Sequence, residues 1–158
     1  MFGGLHREMD FMDKYMLVAF KEALKAAKKD EVPVGAVIVK DGKIIAKAHN
    51  VREKSHNPLM HAEINCINKA AKKMKNWRMD ECDIYVTLEP CAMCMGAIIN
   101  ARFKNVCFTC SNFKCGALGG LFNMMDIKGF NHYPNIVKIN DKNNYSDVLN
   151  AFFRNKRK

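Results

Sequence analysis

The sequence predicts an α/β fold in which helices cover a central sheet. β-rich runs alternate with segments whose apolar residues recur every three or four positions. The chain has 158 residues, enough for one core, and neither an internal repeat nor a linker-like break divides it. We therefore expect a single domain over residues 1–158, with residues 1–10 as a flexible N-terminal extension.

The N-terminal third predicts a helix and a hairpin. Apolar residues between positions 12 and 27 have helical spacing, and this helix should end near Lys29. Two β-rich runs in residues 32–50 flank Asp41 and Gly42, whose tolerance of positive φ suits a tight turn. Asn57 followed by Pro58 is typical of an N-cap and a first helical residue, so we expect the second helix to begin there.

The remaining elements continue the alternation. Residues 83–89 are β-rich, and Pro90 after them can open a helix over residues 91–102. A strand over residues 105–110 precedes a glycine-rich loop, a short strand near residue 136 and a last helix from about Ser146.

Composition and charge narrow the class of protein. No apolar run reaches the roughly 18 residues of a membrane span, and the N-terminus does not resemble a secretory signal. Seven cysteines without regular spacing favour reduced thiols, some of them metal ligands, in a cytoplasmic protein. The net charge of +10 is typical of a partner of polyanions, although a nucleotide-composition bias of the gene is an alternative explanation.

A candidate metal site lies in the runs HAE (residues 61–63) and PCAMC (residues 90–94). Catalytic zinc is typically held by three nitrogen and sulfur ligands, which His61, Cys91 and Cys94 can supply. Cys91 and Cys94 are three apart in the first turn of a predicted helix, whose dipole favours their thiolate forms. The sequence therefore predicts one zinc ion per chain.

Glu63 is a candidate general acid–base. Zinc lowers the pKa of water to about 7, but a proton must still move from that water to the leaving group. A carboxylate two residues from a ligand can move it, if the metal lies off the helix N-terminus that both side chains reach. Side chains two apart on a regular helix otherwise point about 200° apart.

A closed structural zinc site is the alternative, with His56, Cys66 or Cys115 as fourth ligand. The candidate second pair, Cys107 and Cys110, lies on a predicted strand, where residues three apart face opposite sides of the sheet. We therefore expect that pair to chelate poorly and to pack in the core.

The longer runs EVPVGAVIV, AHN, HNPLMHAEIN, YVTLEPCAMCMGAI and FFRNKRK resemble the bacterial-type tRNA-specific adenosine deaminases from about residue 13 to the end. HAE and PCAMC match the H-x-E and P-C-x-x-C pattern of zinc deaminases. The resemblance implies a cytidine-deaminase-like three-layer α/β/α sandwich with a central mixed sheet, a homodimer, and zinc as the cofactor. It also implies that His61, Cys91 and Cys94 bind the zinc and that Glu63 shuttles protons.

The resemblance also implies substrate contacts by Asn50, Val32 and Ala62. Asn50 would hydrogen-bond the extruded base, and Val32 would pack on it. Asn50 is equally suited to an Asx turn that ends the hairpin, and a valine in a β-rich run is often a core residue.

The C-terminal tail is a candidate RNA contact through two aromatic and several basic side chains: Phe152, Phe153, Arg154, Lys156, Arg157 and Lys158. Alternatively, the phenylalanines pack on the sheet and the cations stabilise a solvated helix end through its dipole.

The implied activity is hydrolytic deamination of adenosine to inosine at the wobble position of the tRNA anticodon loop. The alternatives are a free-base or nucleotide deaminase acting on guanine or cytosine, and a zinc-bearing, non-catalytic RNA-binding subunit.

One loop departs from the family. CGALGG lacks the Lys-Ser/Thr of a phosphate loop, so we interpret its glycines as turn residues. Just before it, Asn112 and Phe113 stand where the family commonly has Asp and Pro or Ala. The resemblance implies that this loop lies near the substrate, so we expect the difference to affect fine specificity.

Overall fold

A computed structural model describes residues 2–157, with the side chains of the first helix described from Asp10 onward. Five α-helices lie at Phe2–Lys28 (α1), Arg52–Ser55 (α2), Ala62–Met74 (α3), Ala92–Ala101 (α4) and Tyr145–Lys156 (α5). Five strands lie at Gly35–Lys40 (β1), Lys43–His49 (β2), Cys82–Leu88 (β3), Asn105–Cys110 (β4) and Asn135–Lys138 (β5). A short 3-10 helix spans Met124–Asp126.

The strands form one mixed sheet in the order β2-β1-β3-β4-β5. β1 is antiparallel to β2 and to β3, whereas β3, β4 and β5 are parallel. The predicted mixed sheet is therefore confirmed. Because β3 and β4 are parallel, the loops that follow both strands leave the same edge of the sheet, the edge at which α/β folds place their ligands.

Helices cover both faces of the sheet, as a three-layer α/β/α architecture requires. On one face α1 packs on Val37, Val39, Tyr85 and Cys107, while the alternate residues, such as Ile38, face α3 and α4 on the other side. This strict alternation follows from the two-residue period of a strand. Helix α5 contacts α1 and β4.

The hairpin between β1 and β2 turns at the predicted dipeptide. Asp41 and Gly42 have φ values of 50° and 74°, as a two-residue hairpin turn of mirror-image type requires. None of the helices within residues 2–157 combines the length and the apolar character needed to cross a bilayer.

Helix α1 approaches the sheet at Gly35. A Cβ atom at Gly35 would lie 1.9 Å from the backbone oxygen of Ala19, so only glycine fits without displacing the helix. Ala19 and Ala23 have no exposed surface and form the rest of this contact.

One prediction about the start of an element differs from the structure. The helix expected at Pro58 begins four residues later, at Ala62, because the side chain of Asn57 accepts a hydrogen bond from the Leu59 N–H and closes a turn instead. The backbone from Phe2 to residue 10 belongs to α1, and Met1 lies outside the described residues. The flexibility of this N-terminal part stays a prediction.

Candidate metal centre and substrate pocket

Three predicted ligands converge at the N-termini of two helices. His61 is the N-cap of α3, Cys91 is the N-cap of α4, and Cys94 lies in the first turn of α4. The Nδ1 atom of His61 lies 3.7 Å from the Cys91 Sγ and 3.6 Å from the Cys94 Sγ. Among the side chains that the structure describes, from residue 10 to residue 157, these three form the one group whose His, Cys, Asp or Glu ligand atoms lie close enough together to share a metal ion.

The spacing of these atoms fits zinc. A tetrahedral site with Zn–S bonds of about 2.3 Å and Zn–N bonds of about 2.0 Å separates nitrogen from sulfur by about 3.5 Å. The two separations of 3.7 and 3.6 Å agree with that value.

The proposed fourth ligands of a closed site do not join the cluster. His56 is exposed, and the buried thiol of Cys66 donates a hydrogen bond to the Ala36 carbonyl oxygen. Cys107 is fully buried in the core beneath α1, as predicted. The three-ligand arrangement is the donor set typical of catalytic zinc.

Contacts within the cluster favour one thiolate. A hydrogen bond from Cys94, together with one from His61, lowers the pKa of the Cys91 thiol to about 4. The same contact with Cys91, together with burial, raises the pKa of the Cys94 thiol. The hydrogen bond to Cys91 also raises the pKa of His61.

Glu63 lies beside this cluster, with 4% of its surface exposed. It is the second residue of α3, and burial raises the pKa of its carboxyl group. His61 has an extended backbone and precedes the helix, so the 200° separation of a regular helix does not apply to this pair. Both side chains line the same cavity.

The cavity has a volume of about 690 Å³, within the usual range for small-molecule sites. The predicted substrate residues Asn50, Val32 and Ala62 all line it. Asn50 also makes the alternative contact considered above, because its Oδ1 accepts a hydrogen bond from the Arg52 N–H at 3.0 Å and closes an Asx turn. Its side-chain amide also donates to the Val32 carbonyl oxygen at 3.4 Å.

The C-terminal tail reaches the cavity with only some of its predicted residues. Phe153, Arg154 and Arg157 line the cavity, whereas Phe152 and Lys156 do not. The Lys156 ammonium contacts the Asp30 carboxylate at 2.6 Å and lies 5.7 Å from the Phe152 ring centroid. Lys158 lies outside the described residues.

Several cavity residues were not predicted from the sequence: Arg52, Leu88, Glu89, Leu149 and Asn150. Glu89 alone carried a signal, since a carboxylate follows a mostly apolar strand. Arg52 gave none, because surface arginines are common and only the fold brings this one to the cavity.

Glu89 fastens the loop after β4. It is 2% exposed, and its carboxylate accepts hydrogen bonds from the backbone N–H groups of Asn112, Leu118 and Gly120 at 2.8–3.0 Å. A Cβ at Gly116 would lie 2.3 Å from the same carboxylate. Gly116 and Gly120 therefore serve close packing against Glu89, and Gly119, with φ of 115°, is the one that requires a turn conformation.

Comparisons with known proteins agree with this geometry. The family model of the MafB19-like deaminases matches residues 10–157. A tRNA-specific adenosine deaminase of Bacillus subtilis (strain 168) is 44% identical over 144 residues, which cover 91% of this chain and 89% of that protein. Its counterpart in Aquifex aeolicus (strain VF5) is 38% identical, with 89% and 92% covered.

Solved structures share the fold. One comes from a study of A-to-I editing by tRNA:A34 deaminases at the wobble position of transfer RNA; it has a TM-score of 0.76, is 34% identical, and covers 80% of this chain and 97% of that one. The guanine deaminase of Bacillus subtilis has a TM-score of 0.62 and 30% identity, with 90% and 93% covered. The chain belongs to the MafB19-like deaminase family and is similar over most of its length to bacterial tRNA-specific adenosine deaminases.

Proposed function

We propose that this protein is a zinc-dependent hydrolase that deaminates adenosine to inosine at the wobble position of tRNA. The observation that carries the proposal is the convergence of His61, Cys91 and Cys94 beside Glu63, at a cavity that cationic side chains also line. The similarity to tRNA-specific adenosine deaminases supports the choice of substrate.

His61, Cys91 and Cys94 would hold one zinc ion per chain, because their three ligand atoms lie within 4.8 Å of one another. Zinc, when bound, acts as a Lewis acid that generates a nucleophile from water at neutral pH. The protein holds the three ligand atoms in fixed positions. Two helix N-termini provide Cys91, Cys94 and His61 from rigid elements, not from a loop.

Glu63 is proposed to move the protons. The overall reaction adds water to adenosine and releases inosine and ammonia, so a proton must leave the water and others must reach the ring nitrogen and the departing amine. Glu63 is the one acidic side chain beside the ligands in the cavity, since the carboxylate of Glu89 is occupied by backbone N–H groups. One carboxylate therefore serves both as base and as acid.

Asn50, Val32 and Ala62 are proposed to orient the base. Asn50 is held by its bonds to Arg52 and Val32, which fix its amide at the cavity wall. An amide in a fixed position can read the hydrogen-bonding edge of a purine, while Val32 and Ala62 offer apolar surface to its ring.

A cationic rim supports an RNA substrate. Arg52, Lys114, Arg154 and Arg157 line the cavity, and the two acidic lining residues, Glu63 and Glu89, are buried. Phosphate groups supply the partners for such cations. We propose Phe153, Arg154 and Arg157 as the RNA contacts of the tail, while Phe152 and Lys156 pack at its outer side.

We further propose that residues 1–158 act as one deaminase domain in a cytoplasmic homodimer. A tRNA substrate and seven free thiols favour the cytoplasm. Exposed large apolar side chains between residues 121 and 133, such as Leu121 at 62% and Ile127 at 48%, support an interface between two copies.

Deamination of a free base is the second candidate, because a guanine deaminase of Bacillus subtilis shares the fold at 30% identity. Parallel assays of the purified protein with an anticodon stem-loop, guanine and cytosine separate the two. We expect ammonia release from the stem-loop alone. Turnover of guanine or cytosine without turnover of the stem-loop would replace the proposed function with the second candidate. A non-catalytic subunit would release ammonia from none of them.

A further inference from the structure

Phe113 is a solvent-exposed aromatic residue at the cavity. Its exposed fraction of 78% is the largest among the exposed large apolar side chains of the described residues, and its ring lines the cavity. Leaving that much apolar surface in water is unfavourable unless a partner covers it.

The turn that carries Phe113 is held from several sides. The Asn112 Oδ1 accepts hydrogen bonds from the N–H groups of Lys114 and Cys115, both at 3.3 Å, and the Asn112 carbonyl accepts one from Gly116 at 2.8 Å. The Asn112 N–H in turn donates to the buried carboxylate of Glu89 at 3.0 Å. Phe113 therefore occupies the tip of an ordered turn, so that covering its ring requires little further ordering of the backbone.

The neighbourhood of the ring identifies the chemistry of the partner. Lys114, Arg154 and Arg157 line the same cavity and bring positive charge, and Phe153 adds a second aromatic surface. Aromatic rings beside cations are the combination that binds unpaired nucleotides, whose bases stack while their phosphates meet the cations. A free purine has no phosphate for these cations.

We propose that Phe113 stacks on the nucleobase adjacent in the RNA to the adenosine that enters the cavity. This rests on the proposed function, since it requires RNA as the substrate, and it adds a neighbouring base to what the site recognises. Phe113 takes no part in the chemical step; it increases the affinity for loops that offer an unpaired base at that position.

The test measures the binding of anticodon stem-loops to wild type, Phe113→Ala and Phe113→Trp. Trp77→Ala is the matched control, because Trp77 is also a loop aromatic, 59% exposed, and does not line the cavity. We expect Phe113→Ala to raise the Kd by about 5- to 150-fold, the usual range for one base–aromatic stack. Phe113→Trp and Trp77→Ala should bind like wild type.

A second RNA series identifies the stacked base. Stem-loops that lack the base immediately 5′ or immediately 3′ of the target adenosine remove the stacking partner one at a time. One of them should weaken wild type by the same factor as Phe113→Ala and should weaken that variant no further, because the two changes delete one contact.

Three results would overturn the proposal. The first is a Kd of Phe113→Ala equal to that of Trp77→Ala. The second is additive losses with both base-deleted stem-loops. The third is a lower sedimentation mass for Phe113→Ala than for wild type, which would make Phe113 a contact between protein chains. Absence of inosine from wild-type reactions is a separate result, because it contradicts the proposed function while the stacking is still measured by binding.

Discussion

His61 and Glu63 are two residues apart and still serve one cavity, because His61 caps helix α3 and Glu63 lies in its first turn. The change from extended to helical backbone between them turns both side chains toward the same space. Cys91 and Cys94 have the same arrangement at α4, where Cys91 is the N-cap and Cys94 lies in the first turn. A cap and a first-turn residue from each of two helices thus supply the proposed ligands and the proposed acid–base.

Removing a proposed ligand should release the metal. We expect His61→Ala and Cys91→Ala to lose zinc and to unfold at lower temperature, because metal binding contributes to the stability of the folded state. Cys107→Ala is the control: its thiol is fully buried in the other half of the core and outside the cluster. Metal analysis of the purified proteins measures the outcome, and full zinc in the first two variants would contradict the assignment.

Glu63→Gln should keep zinc and fold but lose turnover. The amide has nearly the shape of the carboxyl group and cannot accept the proton, and general acid–base groups contribute on the order of 10² to 10⁴-fold to the rate. Glu81→Gln, at a side chain that is 71% exposed, should leave the rate unchanged. Single-turnover rates on a stem-loop measure the outcome. A Glu63→Gln rate within about tenfold of wild type would exclude Glu63 as a general acid–base that contributes about 10²-fold or more to the rate.

The four residues of the centre could be predicted because their types and spacing are unusual in a chain. Arg52 could not, since it is an ordinary surface residue until the fold brings it to the cavity. The glycines near Glu89 were predicted as turn residues because a sequence shows no tertiary contact, and two of them instead make room for a buried carboxylate.

At the scale of elements, the sequence predicted which segments form helices and strands better than where they begin. The hairpin at Asp41 and Gly42 is confirmed because positive φ is a local requirement. The start expected at Pro58 is wrong because an Asn-Pro pair suits a turn as well as a helix cap, and the side-chain bond of Asn57 to Leu59 decided between them.

The close approach of α1 to the sheet at Gly35 predicts that substitutions at two glycines differ in their effect on the free energy of unfolding. Gly35→Ala places a methyl group against the backbone of α1 and should destabilise the fold by roughly 1–3 kcal/mol or more. Gly96→Ala, inside α4 with no atom within 4 Å of the added methyl, should be neutral or stabilising by up to about 1 kcal/mol. Urea unfolding measures both, and equal stabilities would contradict the close approach.

The positions of the cationic side chains on α5 predict that they contribute unequally to RNA binding. Arg154→Ala with Arg157→Ala should weaken binding of a stem-loop and lower the slope of log affinity against log salt by roughly 0.7 to 0.9 per lost phosphate contact. Lys156→Ala removes one cation from the same helix, but the Lys156 ammonium contacts Asp30 outside the cavity, so its slope per charge removed should stay closer to that of wild type. If the arginine pair and Lys156→Ala changed the salt slope equally per charge removed, the tail cations would act only through general electrostatic attraction to RNA.

Over the whole molecule, the parallel strands β3 and β4 release their following loops at one edge of the sheet, and the proposed centre, the Glu89-anchored loop and the end of α5 border one cavity there. Part of the net charge of +10 is concentrated here, because four cationic side chains line this cavity and its two acidic side chains are buried. This arrangement favours an RNA substrate over a free base.

The most direct test of the proposed function is sequencing of unmodified tRNA after incubation with the zinc-loaded protein. Inosine pairs as guanosine, so we expect adenosine at the first anticodon position to be read as G with wild type and as A with Glu63→Gln. Unchanged adenosine at that position in every tRNA, with wild-type protein that carries zinc and remains folded, would contradict it.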